Sequence, residues 1–229
     1  LNGAVEPPEG FRTRGSEPSG TRLVLVRHGE AFCNANGVVG GPIGCGGLTE
    51  LGETQARSLR DRLVRSREFD DAVALYTSVL PRAVQTARII SPGLPAHLVA
   101  VEDCALCEIH PGAADGLTWQ EMLDTFGGPD WDKEPDAPFA PGGESWIGFY
   151  DRCVAAFVAI ALRHPGQRVI LVVHGGVIEQ AMKLVEGRHP GARMRLLTQN
   201  CSMTEFEIDP TVMRLRLLRY NDRAPLAAE

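Results

Sequence analysis

The sequence predicts an α/β fold: a three-layer α/β/α sandwich around a largely parallel central sheet. Three observations carry this. Short runs such as Leu23-Val24-Leu25-Val26 and Val169-Ile170-Leu171-Val172-Val173 have the unbroken apolarity of strands buried on both faces. Between such runs lie longer segments whose apolar residues recur at helical spacing. Strand and helix then alternate along the chain, as they do where crossover helices join parallel strands.

Residues 1–20, with Pro7, Pro8, Gly10, Gly15, Pro18 and Gly20 among mixed charges, read as a flexible leader. The first strand, residues 23–26, runs into Arg27-His28-Gly29-Glu30. Glycines crowd residues 36–47, so this loop can fold its backbone closely around something. Thr49 caps a helix with a stripe of Leu51, Ala56, Leu59 and Leu63. Ala72–Thr77 is the second strand. Ser78 and Pro81 open a helix that stops before Pro92, and a short third strand is expected at residues 97–101. Residues 104–143 are irregular, with one short helix near 118–126; a stretch this long in a compact domain predicts a lid or substrate wall. A helix follows over 144–163. Strand Arg168–Val173 leads through His174-Gly175-Gly176 into a helix at 177–186. Two strands near 202–208 and 213–220 complete a single domain over residues 21–222, and residues 223–229 read as a frayed tail.

Composition narrows the partners. The 23 Lys and Arg against 29 Asp and Glu leave a formal charge of −6, so no global basic field recruits nucleic acid or an anionic membrane surface. An anion site must be built locally. No apolar run approaches the ~18 residues of a membrane span, and the first twenty residues lack an apolar signal core. A cytoplasmic protein is therefore expected, its six cysteines reduced. Cys104-Ala105-Leu106-Cys107 is a lone CxxC with no second pair and no His at zinc-finger spacing, so no metal is predicted from it. A homodimer is compatible with the sequence, which fixes no oligomeric state.

Function is written at the strand ends. Arg27 offers a cationic fork and His28 a tunable imidazole, with Gly29 allowing close approach to the backbone. His174 stands at the end of a second buried strand. In parallel sheets ligands bind beyond the carboxyl ends of the strands, so two such strands can bring both imidazoles together. Arg82 lies in the first turn of the helix after Ser78 and points toward the same region. Taken singly, these residues are a solvated strand edge, a satisfied core histidine and a surface cation. Together, two Arg and two His suit phosphate oxygens rather than a metal, because Arg does not coordinate.

With these motifs the chain resembles the histidine phosphatase superfamily, which contains cofactor-dependent phosphoglycerate mutases and related phosphatases. The resemblance rests on residues 25–30 with Asn34, residues 48–56 (Leu-Thr-Glu-Leu-Gly-Glu-Thr-Gln-Ala), residues 77–87 around Arg82, and Val172-Val173-His174-Gly175-Gly176. Weaker echoes are Leu106-Cys107-Glu108, Gly116-Leu117-Thr118-Trp119, Pro141-Gly142-Gly143-Glu144-Ser145 and Asn200-Cys201-Ser202. The resemblance implies phosphoryl transfer through a phosphohistidine on His28. Arg27, Arg82, His174, Asn34 and Gly175 would bind the phosphate, and Glu108 would be the general acid. No cofactor and no metal are implied. The loop after Asn34 departs from the family pattern, with Gly40 and Gly46-Gly47 at positions where relatives carry polar side chains.

Within that family the sequence favours hydrolysis of a small phosphomonoester. Mutases follow the acid Glu with Arg-His-Tyr-Gly, whereas Glu108 is followed by Ile109-His110-Pro111-Gly112. The stretch up to Glu144 holds Asp115, Glu121, Asp124, Asp130, Asp132, Glu134 and Asp136, with one Lys and no Arg, and an acidic lid repels a doubly anionic substrate. A phosphoglycerate-type mutase and a non-catalytic phosphate-binding protein are the alternatives. Trp119, Trp131, Phe139 and Trp146 are candidates for an apolar pocket wall or for packing alone.

Overall fold

The computed structural model describes residues 20–187, 196–211 and 214–223. Of the leader expected over residues 1–20, residues 1–19 lie outside the described residues, as do residues 224–229 of the expected tail and Met213. Six strands form one sheet: β1 (Thr21–Arg27), β2 (Ala72–Thr77), β3 (Ala100–Glu102), β4 (Arg168–Val173), β5 (Ser202–Asp209) and β6 (Arg214–Arg223). Their spatial order is β3-β2-β4-β1-β5-β6. The first four in that order are mutually parallel, and β5 and β6 add an antiparallel flank. The helices are α1 (Phe32–Ala35), α2 (Glu50–Ser66), α3 (Pro81–Ile90), α4 (Trp119–Phe126), α5 (Trp146–Arg163) and α6 (Gly175–Glu186).

The side-chain period of two along a strand produces the three layers. Val24, Val26, Ile170 and Val172 face one way, onto Ala56, Leu59 and Leu63 of α2 and Ala83, Ala87 and Ile90 of α3. Leu23, Leu25, Val169, Leu171 and Val173 face the other, onto Phe149, Phe157 and Ile160 of α5 and Val177, Ile178 and Ala181 of α6. Both faces of β1 and β4 are buried, which explains their uninterrupted hydrophobicity. None of the described helices is long and apolar enough to cross a membrane.

Several boundaries differ from the sequence expectation. The third strand is Ala100–Glu102 rather than 97–101, because the chain turns through Pro95 and Leu98 before it can pair with β2. Arg223, expected in a frayed tail, ends β6 opposite Ser202. Neighbouring Asp222 accepts two 2.7 Å hydrogen bonds from Arg62 of α2, which anchors this last strand. Helix α5 begins at Trp146, with Ser145 as its cap accepting from the Gly148 amide. Helix α6 begins at Gly175, two residues early. Thr49 caps α2 as expected, but Leu51 is 45% exposed and buried Gly52 takes its place under the β1–α1 loop. There the backbones cross so closely that a Cβ on Gly29 would lie 2.4 Å from the Gly52 carbonyl oxygen. Only glycine fits that crossing.

Candidate active site

Three neighbouring strand ends build the site. In the β1–β4 register Arg27 lies opposite Val173, so the residues that follow, His28 and His174, emerge side by side with ring centroids 5.1 Å apart. The end of β2 contributes Ser78, whose amide donates to the Val172 carbonyl at 3.1 Å. Helix α3 starts directly after it and aims Arg82 back into the same space. Far from being a surface cation, Arg82 is buried, as are both imidazoles.

Hydrogen bonding fixes the protonation of the two rings. His28 Nδ1 lies 2.6 Å from the Gly29 carbonyl oxygen, which can only accept, so this nitrogen carries the proton. Its Nε2 then holds a lone pair, and Arg82 Nε–H points at it from 3.2 Å. The same N–H also reaches His174 Nδ1 at 3.2 Å. His174 therefore carries its proton on Nε2 and donates to Ser78 Oγ at 2.8 Å. The chain continues from Ser78 Oγ–H to Cys107 Sγ at 3.2 Å. Burial first, then the charges of Arg82 and Arg27, hold the His28 pKa well below its ordinary value of 6.5. His174 is depressed likewise, by burial and then by Arg82 and His28. Both rings stand neutral.

Arg27 donates through Nη1 to the Thr198 carbonyl, while its buried Nε finds no partner among the described residues. Burial lowers its pKa and the Glu108 carboxylate counteracts this. Glu108 is held at the N-terminus of α6, where its Oε2 accepts from the Gly176 amide at 3.0 Å and its Oε1 from the Ile109 amide at 3.1 Å. A Cβ at position 176 would come within 2.1 Å of Glu108 Oε1. Glycine there is what lets the carboxylate sit on the helix end.

These residues surround a cleft of about 370 Å³. Arg27, His28, Asn34, Arg82, Glu108 and Gly175 all line it, and His174 lies directly behind Arg82. All seven residues expected at a site are thus gathered at one place. The far wall is aromatic. Trp131 stacks on Trp146 at 4.9 Å, Phe139 packs on both Trp119 and Trp131 at 5.8 Å, and every tryptophan of the chain lines the cleft.

None of Asp115, Glu121, Asp124, Asp130, Asp132, Glu134 or Asp136 is among the lining residues. Asp115 instead accepts from the amides of Gly41, Ile43 and Gly44, each at 2.9 Å, clasping the glycine loop. Glu121 closes a capping box with Thr118, and Asp130 pairs with Lys133. Local contacts thus engage Asp115, Glu121 and Asp130. Glu30 accepts from Thr49 Oγ1 at 2.8 Å and braces the loop.

Sequence reasoning missed four supports of the cage. Ser78 orders His174 as well as lying at a helix start. Thr86 Oγ1 accepts from the Gly29 amide, Gln85 Oε1 accepts from the Leu48 amide, and Asn200 Nδ2 donates to the His28 carbonyl. Thr86 and Gln85 lie one turn beyond Arg82, so the helical period was the available signal.

A strand-end cage of two arginines and two neutral imidazoles beside a carboxyl on an α/β sheet has the chemistry to hold phosphate oxygens. The model of the histidine phosphatase superfamily (branch 1) matches residues 23–222, and the chain belongs to that superfamily. It is 34% identical over 191 residues to phosphoglycerate mutase-like protein 4 of Arabidopsis thaliana, covering 81% of this chain and 79% of that protein. It is 38% identical over 170 residues to the metal-independent phosphoserine phosphatase of the same plant, covering 69% of this chain and 66% of that one. Among solved structures, a mycobacterial glucosyl-3-phosphoglycerate phosphatase in complex with VO3 superposes with a TM-score of 0.68 at 28% identity. That alignment covers 88% of this chain and 99% of the other.

Proposed function

We propose that the protein is a phosphomonoester hydrolase working through a phosphohistidine on His28, with a small phosphorylated metabolite as substrate. The lone pair on His28 Nε2 attacks phosphorus and the ester P–O bond breaks. Glu108 gives a proton to the departing alkoxide. Water then attacks the phosphohistidine, Glu108 takes its proton, and the P–N bond breaks to restore the imidazole. Arg27, Arg82, His174, Asn34 and the Gly175 amide carry the non-bridging oxygens, the electrostatic part of such catalysis. The Nε of buried Arg27, which has no partner among the described residues, is a donor suited to an anion.

The observation that carries hydrolysis over transfer is the wall opposite the cage. Among the described residues, Arg27 and Arg82 are the only Lys or Arg lining the cleft, and both serve the His28 end. Trp119, Trp131, Phe139 and Trp146 give the rest of the lining apolar surface, which offers a second anion no partner. Phosphatase-named relatives support the same reading.

The test is phosphate release from an aryl phosphate and from 3-phosphoglycerate, with and without 2,3-bisphosphoglycerate. Hydrolysis independent of the bisphosphate is expected, together with its loss in His28→Ala. Transfer between hydroxyls that requires the bisphosphate would establish a mutase, and an inert wild-type protein would establish a binding protein.

A further inference from the structure

The segment that carries Glu108 also gathers three metal-binding side chains that play no part in the phosphate cage. We propose that Cys104, Cys107 and His110 form a binding site for a divalent ion of the zinc type, at the foot of the Glu108 loop. Their donor atoms all lie within 4.8 Å of one another. Cys104 Sγ and His110 Nε2 are 3.6 Å apart. A tetrahedral zinc with bonds of about 2.3 Å to sulfur and 2.05 Å to nitrogen requires an S···N edge of about 3.6 Å. Thiolates and an imidazole are the donor set for such an ion, and hard cations such as Mg²⁺ or Ca²⁺ prefer oxygen.

The surrounding residues meet the demands of a metal site. The other ring nitrogen of His110, Nδ1, faces Glu144 Oε2 at 3.6 Å. A carboxylate on that side favours the proton on Nδ1 and the lone pair on Nε2, and a hydrogen bond from the distal nitrogen to a carboxylate is how histidine ligands are generally oriented. Glu144 is itself fixed by Arg152 through contacts of 2.7 Å to each oxygen, and it accepts from the His110 amide at 2.9 Å. Ser78 Oγ–H donates to Cys107 Sγ, as an outer-shell donor does to a bound thiolate.

The backbone is pre-organised as well. Residues Cys104–Leu106 form a 3₁₀ turn capped by Asp103. The Arg152 guanidinium donates to the carbonyls of Cys104, Ala105, Cys107 and Glu108 at 2.9–3.4 Å. Two thiolates and a divalent ion are together neutral, so binding leaves no net charge beside Arg152. Cys104 is exposed and His110 partly so, which gives the ion a path from solvent and leaves its fourth position to water. His110 follows Cys107 by three residues in an irregular stretch, a C-x₂-C-x₂-H spacing that standard fingers do not use.

Bound there, the ion grips Cys107 and His110 on either side of Glu108 and reaches His174 through Cys107 and Ser78. It would brace the site without joining the reaction. Binding itself is independent of what the enzyme hydrolyses.

The test is metal content and cobalt spectroscopy of the full-length reduced chain. After equilibration with zinc and desalting, a stoichiometric equivalent of zinc is expected in the wild type. With Co²⁺, a thiolate-to-cobalt charge-transfer band with tetrahedral d–d absorption is expected. Both are lost in Cys104→Ser and in His110→Ala, whose side chains are exposed enough to change without unfolding, and both persist in His97→Ala, an exposed histidine elsewhere. Absence of zinc and of the cobalt band in the reduced wild type overturns the site. So does equal zinc in wild type and in either ligand variant, or a Cys104–Cys107 disulfide that re-forms in preference to metal binding.

Discussion

One N–H of Arg82 serves two histidines: Nε stands 3.2 Å from His28 Nε2 and 3.2 Å from His174 Nδ1. Its Nη1 meanwhile donates to the Gly40 carbonyl at 2.8 Å, tying the cage to the glycine loop. A lysine ammonium has neither the fork nor the reach to make these bonds together. Arg82→Lys is therefore expected to lower kcat by ~10²–10³-fold while the thermal midpoint stays near that of the wild type. Steady-state kinetics beside a melting curve check this, and a kcat within a few-fold of wild type would remove Arg82 from the transition state.

The neutral imidazoles make stability depend on pH in a defined direction. Burial and neighbouring arginines hold both folded-state pKa values well below 6.5. Between the folded value and 6.5 the unfolded chain binds more protons, so the stabilisation is complete above pH 6.5 and drains away as pH falls below it. Each imidazole contributes up to about 1.4 kcal/mol per pH unit in that window. The melting temperature should fall between pH 6.5 and 5, and fall less steeply in His28→Asn. Equal slopes for the two proteins would mean that the fold leaves the His28 pKa at its ordinary value.

Leaving-group dependence isolates Glu108. Aryl esters need little help from an acid, whereas alkyl esters need a proton, and general acid catalysis is worth ~10²–10⁴-fold. Glu108→Gln is expected to cost that range on an alkyl phosphate and far less on a nitrophenyl phosphate. Gly176→Ala should reproduce the pattern in milder form, because its new methyl displaces the Glu108 carboxylate without touching the phosphate cage. Uniform losses across both esters would argue against a proton-donating role.

The aromatic wall predicts a separation of binding from chemistry. Trp119 is 49% exposed and packs on Phe139 at the rim of the cleft. Trp119→Ala should raise KM for an aryl phosphate several-fold and leave kcat within about two-fold, since a contact equal in ground and transition state affects only binding. A fall in kcat with KM unchanged would place Trp119 in the chemistry instead.

Much of the site was legible because its residues sit at strand ends, where periodicity changes abruptly. Arg27-His28 and His174 follow apolar runs that admit no reading but buried strand, and parallel pairing carries such ends to one edge of the sheet. Arg82 was legible from its place one residue after Pro81 in a first turn. What stayed hidden depends on contacts distant in sequence. Nothing in the local pattern tells that Asp115 reaches back over 70 residues to Gly44, so its part as a structural tie was hidden. The gathering of Cys104, Cys107 and His110 was missed for a narrower reason: an irregular loop has no fixed period, so spacing alone could not place three side chains together.

Asp115 has a consequence for how this scaffold changes over evolution. Its carboxylate belongs to the lid, and the amides it receives belong to the loop after Asn34, so this clasp joins the backbone bonds Val39–Leu117, Gly116–Val39 and Trp119–Gly37 in tying the two segments together. A loop exchanged alone from a relative would leave three amides or one carboxylate without partners. Substrate preference should then be inherited as a matched pair of segments, and chimeras that swap both together should fold where single swaps fail.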